Sequence, residues 1–141
     1  MAQPLQVFEA PGDPEEPLPI TYEGWTFERS VLLPLWDWYL ILDEARKRDK
    51  ELGSLLIDAS GSADPRAEVA KTIPVERYGS LMEFIERLAD EFARGVDLAG
   101  VQAELDLGDY DSSIYAEFLR ATAAVLKEAH RLDAPFRSWS G

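Results

Sequence analysis

The sequence predicts a mainly α-helical protein: a small bundle of three substantial helices and one or two short ones, with an N-terminal β-hairpin. Three observations carry that prediction. Residues 31–42, VLLPLWDWYLIL, hold ten hydrophobic side chains in twelve positions. Residues 80–94 and 113–132 each space their apolar residues by three and four, the period of an amphipathic helix. Glycine and proline punctuate the chain around these stretches, at Gly53, Pro65, Pro74, Gly95, Gly108 and Pro135. The alternative is an α+β domain in which 54–59 and 73–78 join the hairpin in a small sheet.

Residues 1–19 hold five prolines and four acids. Proline lacks the backbone donor and restricts its neighbour, so this stretch reads as an extended acidic arm, with 20–141 as a single globular domain. Val7 and Phe8 are the residues able to pin the arm to the body. The next segment, ITYEGWTF at 20–27, reads as a hairpin turning at Glu23-Gly24, with Tyr22 opposite Trp25 and Ile20 opposite Phe27.

A helix is expected to begin near Ser30–Pro34, since proline suits a first turn, and to run to about Leu52, with Gly53 as its stop. Trp36 and Trp38 point roughly 200° apart on such a helix, so they cannot face the same neighbour. Burial is the default for aromatics at this spacing, and whichever tryptophan stays exposed becomes an interface candidate. Asp37 is the polar exception. It either reaches solvent or takes a hydrogen bond from a neighbour such as a tryptophan N–H. Arg46, Lys47 and Arg48 sit where a helix C-terminus favours cations.

SLLIDASGS at 54–62 fits either a short strand or a helical turn, and 67–72 fits one or two turns of helix. Ser80–Arg94 is the clearest helix. Ser80 and Glu83 match a capping box. Leu81, Phe84, Leu88 and Phe92 form its stripe, with Ile85 and Ala89 beside it, and Glu83–Arg87 and Asp90–Arg94 stand four apart. Gly95 ends it. A shorter helix capped by Asp97 is expected over 97–107, followed by a loop at 108–111. In the last helix, Tyr115, Phe118, Thr122, Val125, Ala129 and Leu132 line the seam, widened by Leu119 and Leu126. Phe136 and Trp139 would tie the tail down.

The formal net charge is −13. Residues 80–111 carry nine acids against two bases, whereas 112–141 carry three acids against four bases. Nucleic acid and anionic membranes demand cationic patches, so neither is an expected partner. The chain has no cysteine and one histidine, which removes disulfides and makes a structural zinc site a poor fit. No secretory segment is visible at the N-terminus, and a cytoplasmic protein is the expectation.

Catalytic and metal motifs fail when tested. An EF-hand loop starting at Asp109 places Ile114 where glycine belongs and Arg120 where glutamate belongs; one starting at Asp58 fails similarly. His130 falls on the shoulder of the last helix, away from the seam, without a partnering serine or carboxylate. No phosphate-cradling glycine motif occurs. No cofactor, metal or catalytic residue is therefore assigned.

What remains is charge. The expectation is a non-catalytic acidic module that docks on a basic protein, as an immunity protein, inhibitor or adaptor does, because complementary charge speeds encounter and sets specificity. Its docking residues would be Glu104, Asp106, Asp109, Tyr110 and Asp111. An acidic surface that serves solubility alone is the competing explanation. Two other classes stay open: a structural subunit that self-associates, for instance as a homodimer, through the aromatic helix, and a carboxylate-based hydrolase.

Overall fold

A computed structural model describes residues 4–10, 26–27, 30–61, 73–108, 110–134 and 136–140. They form a mostly helical domain with a small antiparallel sheet. The sheet comprises β1 (Leu5–Glu9), β2 (Thr26–Phe27), β3 (Ser30–Pro34) and β4 (Arg137–Ser140), in the order β2-β3-β1-β4. Between β3 and β4 run α1 (Leu35–Arg48), α2 (Lys50–Ala59), a 3-10 turn at Val75–Arg77, α3 (Tyr78–Arg94), α4 (Ala99–Glu104) and α5 (Ser112–Arg131).

The proline-rich arm enters the body as β1, which like β3 has a partner on each side. Leu5–Glu9 pairs with Pro34–Ser30, and Gln6–Glu9 pairs with Ser140–Arg137. Val7 and Phe8 are buried. Residues 11–19 lie outside the described part, as do 20–25, which carry most of the expected hairpin. Thr26 and Phe27 instead pair forward in the chain with Val31 and Ser30.

The single helix expected over 30–52 is three elements. Val31 and Leu33 are buried while Leu32 and Pro34 are half-buried, the alternation of a strand, and β1 supplies its hydrogen-bonding partner. The helix starts only after Pro34, whose fixed φ of −58° serves as its N-cap. It ends at Asp49, whose extended backbone (φ −148°, ψ 108°) breaks the helix and whose side chain caps α2 by accepting from the Leu52 N–H at 2.9 Å.

Gly53, expected as a stop, lies inside α2. A Cβ there would stand 2.5 Å from the Arg46 Cα, so its role is to let α2 fold back onto the last turn of α1. Residues 54–59 lie in α2, and 73–78 run through a bend and the 3-10 turn into α3, so neither stretch is a strand; 62–72 fall outside the described residues.

Every stripe residue named for α3 is buried, and Gly95 ends the helix at φ 109°. The cap differs from expectation. The 3-10 turn feeds α3 directly, so Ser80 is inside the helix and no side chain caps its start. The two helical pairs also differ. Asp90 turns outward to Arg120 at 3.1 Å, joining α3 to α5, and Arg94 Nε reaches the Asp90 carbonyl at 3.3 Å. Glu83 and Arg87 form no ion pair among the described residues. At the end of α1, Lys47 pairs with Asp43 at 3.2 Å, and Arg48 pairs with Glu44 at 2.8 Å and Glu91 at 3.0 Å.

The most extensive helix contact is between α3 and α5, whose facing stripes bury each other; of the α5 seam, only Leu132 is exposed. Sheet and helices meet through aromatics. Phe8 packs edge-on against Trp38 at 5.5 Å between ring centroids, and Phe136 bridges Phe8 at 6.2 Å and Tyr78 at 5.5 Å. The tail is thus anchored as the sequence suggests.

The end of α2 is buried beneath the sheet, and its last carbonyls need donors. Tertiary partners supply them: Gln6 Nε2 donates to the Ser60 carbonyl at 2.8 Å, and Ser138 Oγ donates to the Ala59 carbonyl at 2.5 Å.

Candidate functional site

The acidic surface named from sequence is built around α4 and the turn into α5. Gly95 releases the chain from α3. The Val96 N–H then donates to Ser112 Oγ at 3.1 Å, and that hydroxyl donates to the Phe92 carbonyl at 2.6 Å. One buried serine therefore closes the segment at its base. Asp97 Oδ1 accepts from the Ala99 N–H at 3.2 Å, although Leu98 holds the cap position of α4. The far end of α4 closes as a Schellman motif. The Leu107 N–H bonds the Gln102 carbonyl at 2.8 Å, and Asp106 takes the left-handed conformation at φ 56°.

Glu104, Asp106 and Asp111 are exposed, and none of them forms an ion pair among the described residues. Ser113 Oγ donates to Asp111 Oδ2 at 2.7 Å. Asp109 lies outside the described residues. Tyr110 is 39% exposed, yet its ring rests edge-on against Tyr115 at 6.2 Å and Phe118 at 6.0 Å. Glu104, Asp106, Tyr110 and Asp111 thus lie exposed on one short stretch of chain.

Beneath Tyr110 lies a hydrogen-bonded chain that sequence reading did not assemble. Gln102 Nε2 donates both to the Tyr110 carbonyl and to the Tyr115 hydroxyl, each at 3.0 Å. The Tyr115 hydroxyl donates to Asp37 Oδ1 at 2.7 Å. Asp37 is 1% exposed and Tyr115 is fully buried. Burial, and then the hydrogen bond to Asp37, push the Tyr115 phenol well above its ordinary pKa. The only sequence signal for this chain was Asp37 standing alone in an apolar run. Among the described residues its donor is a tyrosine from α5, and nothing about Gln102 distinguished it.

The tryptophan question also resolves. Trp38 is fully buried and donates to Ser60, while Trp36 and Tyr39 are each 47% exposed, with ring centroids 5.9 Å apart on the outer face of α1. His130 is exposed. A cleft of about 640 Å³ opens between the end of α1 and α3, where Arg48, Arg87 and Arg94 alternate with Asp49, Asp90 and Glu91. Its carboxylates are largely engaged: Glu91 pairs with Arg48, Asp90 pairs with Arg120, and Asp49 caps α2.

Among the described residues, no group of three or more His, Asp or Glu side chains could hold a metal ion. None of their helices is long and apolar enough to cross a membrane. Compared with protein-family models, with curated proteins and with solved structures, the chain matches none.

Proposed function

We propose that this protein is a non-catalytic acidic module that docks on a basic protein through Glu104, Asp106, Tyr110 and Asp111, in the manner of an inhibitor, immunity protein or adaptor. The observation that carries this reading is that, among the described residues, no cation pairs with Glu104, Asp106 or Asp111, all three exposed. Lys47, Arg48, Arg77, Arg120, Arg131 and Arg137 all pair with acids, but with other ones. Exposed carboxylates on one short stretch of chain with an exposed tyrosine suit a partner's arginine or lysine.

The test is capture with the triple variant Glu104→Lys, Asp106→Lys, Asp111→Lys beside the native chain, at low and high salt, with mass identification. The expected result is a stoichiometric basic protein held by the native chain at low salt, released by high salt and lost from the variant. Equal capture by both chains, or retention of nothing, overturns the reading.

A second reading, self-association, is favoured by the exposed Trp36–Tyr39 pair. Its measure is the mass in solution at high concentration with and without Trp36→Glu. A native chain that stays monomeric ends it.

A further inference from the structure

We propose that the buried chain Asp37–Tyr115–Gln102 pre-organises the acidic surface, so that it meets its partner as a fixed array and not as a loop that orders on contact. The binding consequence rests on the docking function proposed above; the conformational claim stands on the free protein.

The chain has a direction. The phenol has one proton, and it goes to Asp37 Oδ1 at 2.7 Å. The lone pairs of that oxygen remain as acceptors, so Gln102 must present its amide nitrogen, not its amide oxygen, at 3.0 Å. The same nitrogen carries a second hydrogen, which meets the Tyr110 carbonyl at 3.0 Å. A carboxylate in α1 thereby dictates, through α5, which group of α4 holds the main chain at Tyr110.

Besides Gln102, the Tyr110 ring on Tyr115 and Phe118 and the packing of Leu107 on the core hold the loop. Leu105, Asp106 and Gly108 are exposed, and Leu107 is only half-buried. Gln102 holds both sides of this stretch, with its carbonyl on Leu107 and its side chain on Tyr110. Losing a buried hydrogen bond strands its partner away from water, which is costly and shifts the local opening equilibrium.

The experiment is amide hydrogen exchange on the free protein, comparing the native chain with Gln102→Ala, Tyr115→Phe, the double variant and Asp37→Asn. Gln102→Ala is expected to speed exchange at the hydrogen-bonded amides of Leu105, Asp106 and Leu107 by roughly tenfold or more, with α3 and the middle of α5 unchanged. Tyr115→Phe should produce the same local rise, and the double variant no more than either single. Asp37→Asn keeps an acceptor for the phenol and should leave protection as in the native chain.

Unchanged exchange in Gln102→Ala overturns the proposal, as does a double variant whose effects add. If Tyr115→Phe loosens α3 as well, Gln102→Ala decides alone, because it leaves the Asp37–Tyr115 bond in place. Since no partner enters the measurement, failure of the docking function shows in the capture experiment and leaves this result untouched.

Discussion

The indole N–H of Trp38 donates to the Ser60 hydroxyl at 2.9 Å, and that hydroxyl donates in turn to the Leu56 carbonyl at 3.0 Å. Helix α1 is thus locked to the end of α2 by the indole N–H of its buried tryptophan. Trp36, two residues earlier, faces solvent.

The two tryptophans should therefore separate cleanly in stability. Trp38→Ala empties a core site and removes the donor to Ser60, and is expected to lower stability by about 3–5 kcal/mol. Trp36→Ala should change it by less than about 1 kcal/mol. Urea unfolding of both variants checks this, and similar midpoints would contradict the assignment of faces.

Two helical glycines should respond in opposite directions. At Gly53 a methyl group would meet the Arg46 main chain at 2.5 Å, so Gly53→Ala is expected to destabilise by about 1–3 kcal/mol as α2 is pushed off α1. At Gly79, inside α3, nothing lies within 4 Å of an added Cβ, so Gly79→Ala should gain about 0.5–1 kcal/mol from helix propensity. Thermal unfolding midpoints of the two variants decide the matter.

Asp106 and Asp133 both hold left-handed backbones, at φ 56° and 49°, where glycine is the residue without a steric penalty. Replacing either with glycine is expected to raise stability by about 0.5–1 kcal/mol. The pair separates stability from docking: Asp106→Gly should weaken partner capture, while Asp133→Gly should leave it intact. Equal capture by the two would remove Asp106 from the docking surface.

Alkaline pH gives a further test. Burial raises the phenols of both Tyr78 and Tyr115. The folded state therefore keeps protons that an unfolded tyrosine loses near its ordinary pKa of 10.0. This contribution to stability is fully present below about pH 10 and declines as pH rises above it. Tyr115→Phe should flatten part of that decline. Absorbance titration of the native chain beside Tyr78→Phe and Tyr115→Phe should show that these two phenols ionise only as the protein unfolds; either one titrating near pH 10 in the native protein would refute this.

Much of the helical part of the fold was legible because it is local. The seams Leu81–Phe92 and Tyr115–Ala129 repeat at the helical period, and each stripe specifies its own element before any partner is known. Gly95 marked a helix end for the same kind of reason. Position along the chain also placed Glu104, Asp106, Tyr110 and Asp111 together, since they are sequence neighbours.

The remainder was fixed by partners distant in the chain. Val31–Leu33 is apolar enough for helix or strand, and only pairing with Leu5–Glu9 made it a strand. Gly53 reads as a stop until Arg46 occupies the space beside it. Asp37 is joined to Tyr115 across 78 positions of sequence, a separation over which no spacing rule operates. Composition and periodicity determined that this chain is an acidic, mainly helical domain and where its main helices lie. Tertiary structure decided which tryptophan is buried, which strands lie inside the sheet and what holds Tyr110, because these depend on groups that meet only after the chain has folded.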